Sequence, residues 1–191
     1  MAIKRFSGYD EAQAYTDTQQ LPRGGYVCRI LNAAVQDNQY GQSIKIAFDI
    51  DEGDFKGHFR KVYDAKTNPD KKWPGVFLLN VPADDNTERD NWTKNKFKTF
   101  VVAMEESNPG YHFDWDESKF KGKLVGLIFN YRQYEFNGAS GFAPNASKAA
   151  SVSAIREGKF KVPKDKLLPG REKDNPYGAS FTVVDTEDIP F

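Results

Sequence analysis

Cysteine and histidine are almost missing from this chain: Cys28, His58 and His112 are the only examples among 191 residues. A single cysteine excludes an internal disulfide and a zinc site built from the chain's own thiolates. Cys28 lies in the strand-like run Tyr26-Val27-Cys28-Arg29-Ile30-Leu31, where a small core residue is expected. No apolar run approaches the roughly 20 residues that span a bilayer, and the first residues lack the apolar segment of a secretory signal. The expectation is a cytoplasmic protein with no membrane partner. Net charge is also lacking, since 27 Lys and Arg balance 27 Asp and Glu. Bulk attraction to a polyanion is thereby excluded, and any such site requires charge separated in space.

Catalytic signatures are scarce too. The chain holds no phosphate-binding Gly-rich loop ending in Gly-Lys-Ser/Thr and no Gly-x-Ser-x-Gly elbow. In Tyr111-His112-Phe113-Asp114-Trp115-Asp116, alternate residues share a face only if the segment is a strand. A metal-dependent nuclease would use His112, Asp114 and Asp116 there, whereas in a loop the acids are merely solvated. The expectation is no enzyme, no cofactor and no resident metal.

Aromatic residues are plentiful: 15 Phe, nine Tyr and three Trp fill a core and leave rings for a binding face. Leu21-Pro22-Arg23-Gly24-Gly25 breaks the chain, and a strand is expected over 26–35. Ile44, Ile46, Phe48 and Ile50 alternate with Lys45, Ala47, Asp49 and Asp51, the period of a half-buried strand. Asp51-Glu52-Gly53-Asp54 then turns into a third expected strand over 55–63. Residues 64–90 read as irregular around an apolar island at 76–81. Phe97, Phe100, Val101 and Met104 fall at helical spacing within 92–106, and Asn108-Pro109-Gly110 ends that helix. A long strand is expected over 124–136, a turn at Asn137-Gly138-Ala139-Ser140-Gly141, and a last strand within 149–160.

Five strands with one helix between the third and fourth describe a mainly β protein with the connectivity of the OB-fold, a five-stranded barrel that binds oligonucleotides or oligosaccharides. The implied organisation is an N-terminal extension over 1–20, an OB-fold domain over 21–160 and a flexible acidic tail over 161–191.

Sequence-neutral binding of single strands needs cations that follow phosphates and rings on which bases stack. In the expected barrel, Arg29, Lys45, Lys56, His58 and Arg60 offer the cations, with Lys56, His58 and Arg60 sharing one face of the third strand. Tyr40 lies in the first loop. Tyr131, Arg132, Tyr134 and Phe136 add rings and charge on the fourth strand, next to a glycine-rich loop. Lys94, Lys96 and Lys98 offer a further phosphate contact, with a solvated helix face as the expected reading.

The last seven residues, Asp185-Thr186-Glu187-Asp188-Ile189-Pro190-Phe191, hold three acids and no base, and end in an apolar anchor with a carboxylate. This segment resembles the C-terminal tip of bacterial single-stranded DNA-binding proteins, in which acids run into Asp-Ile-Pro-Phe; Thr186 departs from that pattern. Leu21-Pro22-Arg23-Gly24-Gly25-Tyr26-Val27-Cys28 and Ile44-Lys45-Ile46-Ala47-Phe48-Asp49-Ile50 resemble the opening of phage or prophage single-strand-binding proteins. The resemblance implies protection of single-stranded DNA during phage replication or recombination in a bacterial cytoplasm. It further implies docking of replication, repair and recombination proteins on Asp185, Glu187, Asp188, Ile189, Pro190 and Phe191. A homo-oligomer, a dimer first, is the expected assembly. The alternative is an OB-like adaptor that binds repair or replication proteins through its tail, with little DNA affinity of its own.

Overall fold

A computed structural model describes residues 20–39 and 41–169. Tyr40, residues 1–19 of the expected extension over 1–20, and the acidic tip at 185–191 therefore lie outside the described residues.

Five strands form one antiparallel sheet: β1 (Gly24–Asn38), β2 (Gly41–Ile50), β3 (Val76–Asn80), β4 (Leu124–Phe136) and β5 (Ala139–Ala150), in the order β3-β2-β1-β4-β5. The sheet is open, with β3 at one edge and β5 at the other; the two edges come near each other without pairing. Helices α1 (His58–Asp64), α2 (Glu88–Ser107) and α3 (Val152–Arg156) complete the regular elements, with a short 3-10 turn at Glu117–Phe120. No helix among the described residues is long and apolar enough to cross a membrane.

The alternation in β2 does what its period requires. Ile44, Ile46, Phe48 and Ile50 are all buried, each contributing on the order of 1.5–3 kcal/mol by leaving water. On β1 the inward residues are Cys28, Ile30 and Ala33; a bulge between Ile30 and Asn32 inserts the extra residue that restores this inward sequence. Burial pushes the Cys28 thiol well above its ordinary pKa, as fits a packed core residue. Phe77 and Leu79 of β3 complete the same wall.

Two expected strands are helices or loops instead. Residues 55–63 end in α1, because Gly57 adopts a left-handed φ of 70° that an extended run cannot carry. The Asp49 carboxylate on β2 then accepts from the backbone N–H groups of Phe59 and Arg60 at 2.9 and 3.1 Å, satisfying donors that the first helical turn leaves free. The third strand is the apolar island at 76–80. The last strand is Ala139–Ala150, not a segment of 149–160. Asn137 and Gly138 have φ of 49° and 78°, the paired left-handed residues of a two-residue hairpin turn, so pairing resumes at once with Phe136 opposite Ala139. Residues 152–156 are α3, which starts where the Ser151 hydroxyl accepts from the Ala154 N–H.

Helix α2 packs against β3, β4 and β5 across the gap between the sheet edges. The Thr87 hydroxyl caps its start by accepting from the Asp90 N–H, and its buried stripe is Phe97, Phe100, Val101, Ala103 and Met104. Asn108 ends it and ties it to the sheet: the side chain donates to the Met104 and Leu124 carbonyls and accepts from the Leu124 N–H.

Candidate functional site

Three residues expected at a binding surface are occupied within the fold. Arg29 spends its donors on both Asp51 oxygens, at 3.0 and 2.8 Å, and on the Gly122 carbonyl at 2.9 Å. That guanidinium holds the Asp51 carboxyl below its usual pKa. His58 is buried at the start of α1 between Phe55 and Phe59, and burial lowers its pKa. Tyr131 is buried, with the Arg23 guanidinium 5.0 Å above its ring.

The remaining predicted cations do not form the expected row. Since 55–63 is not a strand, Lys56, His58 and Arg60 do not share a sheet face. Lys56 is exposed ahead of α1, and Arg60 lies over the Trp73 ring at 5.4 Å. Lys45 is exposed on the outer side of the sheet, with Ala34 and Leu78 as its cross-strand neighbours.

What the structure does bring together is Arg132, Tyr134 and Phe136. They alternate along β4, so they share a face, while Tyr131 and Gln133 turn to the buried side. Their partners on β5 are Ala143, Gly141 and Ala139, which raise nothing bulky beside the rings. The hydroxyl end of Tyr134 comes close over Gly141: a side chain on Gly141 would put its Cβ 2.8 Å from the Tyr134 hydroxyl. Tyr134 is 45% exposed and Phe136 72% exposed, so both rings keep a face for a planar ligand.

This hairpin projects past β1, whose pairing with β4 stops at Gly24 opposite Phe129. Beyond that point the free edge of β4 is taken by residues 164–168, which the sequence assigns to the tail. The Lys166 N–H donates to the Tyr131 carbonyl and the Gln133 N–H to the Lys166 carbonyl, both at 2.8 Å. The Tyr131 N–H donates to the Asp165 carboxylate, and Asp165 also pairs with Arg23. The strap thus forms a parallel bridge to Arg132.

A cleft of about 380 Å³ opens between the two sheet edges, floored by α2. Leu78 and Asn80 of β3, Trp92 and Lys96 of α2, Lys148 of β5, and Lys164 and Lys166 of the strap line it, and among the described residues no carboxylate does. Sequence reasoning missed Trp92, Lys148, Lys164 and Lys166 and gave Lys96 only as a secondary phosphate contact. The available signals were the helical spacing of Trp92 and Lys96 and the basic run Lys161-Val162-Pro163-Lys164 ahead of Lys166. Lys94, by contrast, is bound by Asp84 and Asp90, which raise its pKa to about 12.

At the possible metal motif, Asp114 pairs with Lys119, Asp116 accepts from the Ser118 N–H and hydroxyl, and His112 stands 4.0 Å from Glu105. Among the described residues, no group of three His, Cys, Asp or Glu side chains is placed to hold a metal ion. Compared with known proteins, the chain matches no family model and no curated protein.

Proposed function

We propose that this chain binds single-stranded DNA without sequence preference, on a sheet with OB-type connectivity, and protects the strand during phage replication or recombination. The observation that carries the reading is the row Arg132, Tyr134 and Phe136, set against Ala143, Gly141 and Ala139. Flat exposed rings alternating with small partners make a platform for unpaired bases, and Arg132 supplies a cation for phosphate. The scaffold agrees with it: β1 pairs with both β2 and β4, and one long helix separates β3 from β4, as in OB-type barrels. What departs from that barrel is the missing pairing between β3 and β5.

The balanced charge of 27 against 27 favours a second reading, the adaptor with little DNA affinity. In both readings replication, repair and recombination proteins dock on Asp185, Glu187, Asp188, Ile189, Pro190 and Phe191. Titration of the full chain with oligo-dT, and with a duplex of equal length, at two salt concentrations separates them. The proposed function requires preference for the single strand and an affinity that falls steeply with salt, because phosphate contacts release counterions. Equal or absent binding to both, with the tip still recruiting partners, selects the adaptor.

A further inference from the structure

We propose that the cleft between β3 and β5 is the groove through which the single strand passes, its phosphates held by Lys96, Lys148, Lys164 and Lys166 and a base stacked on Trp92. The inference rests on the proposed DNA binding and specifies its path: across the open seam of the sheet rather than over the outer side of β1-β2-β3, where Lys45 stands.

Three separate segments deliver the four lysines to one cleft whose lining holds no acid among the described residues. None of the four has an ion-pair partner among the described residues. In a chain with as many acids as bases, such an arrangement is a local separation of charge, the condition that the neutral composition imposes on any polyanion site. It also has a cost: desolvation, and then the charge of Lys166, hold the Lys96 ammonium below its ordinary pKa. A bound phosphate offsets both, because its negative charge favours the ammonium form.

The strap sorts its charges by alternation. Asp165 turns to Arg23 and to the Tyr131 N–H, while Lys164 and Lys166 turn to the cleft. The one carboxylate in this stretch is thereby kept out of the groove. Trp92 is 56% exposed, and the Lys96 ammonium stands over one face of its ring, 3.7 Å from the centroid, so a base stacks on the opposite face with a cation close by. Several cations spread along an open cleft with a ring at one side suit a polynucleotide better than a small anion. The parallel bridge between Arg132 and Lys166 joins the cleft to the platform of Tyr134 and Phe136, so one strand can engage both.

The test uses the full chain and fluorescent oligo-dT over a series of salt concentrations. The double variant Lys96→Gln/Lys166→Gln removes two phosphate contacts, and its log–log salt slope should be shallower by about 1.4, since each contact contributes about 0.7 on a single strand. Lys45→Gln should leave the slope unchanged. Trp92→Ala should weaken binding by roughly 5- to 150-fold. In a separate readout, Trp92→Phe should abolish most of the fluorescence quenching on binding, while Trp73→Phe and Trp115→Phe retain it. Circular dichroism and thermal melting confirm that each variant is folded. Wild-type slope and affinity in the cleft variants, with loss in Lys45→Gln, overturn the seam path and leave DNA binding intact. Absence of oligo-dT binding by the wild-type chain overturns both.

Discussion

Asp165, on the strap, forms an ion pair with Arg23, just ahead of β1, and the Asp165 side chain is only 3% exposed. The guanidinium also stands over Tyr131, so residues from ahead of β1 and from beyond β5 in the chain, Arg23 and Asp165, close around β4. This contact holds the strap against an edge that β1 has stopped covering. It also sets the alternation by which Lys164 and Lys166 meet the cleft. Fold and candidate site are therefore linked at this pair.

Asp165→Ala withdraws the carboxylate from Arg23 and from the Tyr131 N–H. Loss of one partner of a buried pair costs about 3–5 kcal/mol, and the partial exposure of Arg23 favours the lower end. Urea denaturation should show that loss. Hydrogen exchange should report it locally, as faster exchange at the Lys166 and Gln133 amides than at core strand amides. Oligo-dT affinity should fall as well, since Lys164 and Lys166 lose their mooring.

Tyr134→Ala and Phe136→Ala remove exposed rings, so stability should change by less than about 1 kcal/mol. Affinity for oligo-dT should drop roughly 5- to 150-fold for each ring that stacks on a base. Gly141→Val is the sharper probe: its Cβ collides with the Tyr134 ring and displaces it without removing an aromatic group. Unchanged affinity in all three variants, measured by anisotropy, would count against the platform.

Asp49 holds α1 in place from a neighbouring strand. Its carboxylate accepts from Phe59 and Arg60 N–H groups, as an N-terminal cap does, although it lies ten residues before Phe59. Asp49→Ala should cost about 1–2 kcal/mol in chemical denaturation. Asp49→Asn should recover part of it, because the amide oxygen still accepts.

That long-range cap explains why residues 55–63 mislead on sequence alone. Their alternation of polar and apolar side chains resembles β2, and neither Asp49 nor the conformation of Gly57 is visible in a local window. The strand at 44–50 was legible because a buried face imposes period two along it, and that at 124–136 because an apolar run buried on both faces through Tyr131 leads into alternation from Arg132. β5 was not legible, because Ala, Gly, Ser and Asn have little strand preference of their own; the Asn137-Gly138 turn and pairing with β4 impose the strand. At the candidate site the same contrast holds. Arg132, Tyr134 and Phe136 follow from alternation within one strand, whereas the cleft lysines are assembled from three segments, and only the fold adds them together.

His58 provides a pH test with a defined sign. Burial lowers its pKa below the ordinary 6.5, Asp49 opposes that shift and Lys61 adds to it. The unfolded chain therefore takes up the proton at a higher pH than the folded chain does, and stability rises with pH wherever the unfolded state binds more protons. The contribution of neutral His58 is complete above about pH 6.5 and shrinks as pH falls below that value toward the folded-state pKa. Carboxylates lose their own contributions at lower pH, so the comparison must be made with a variant lacking the imidazole. His58→Gln should show a flatter fall in melting temperature between pH 7 and pH 5 than the wild-type chain. Parallel curves for the two proteins would mean that His58 titrates alike in the folded and unfolded states, contrary to its packing against Phe55 and Phe59.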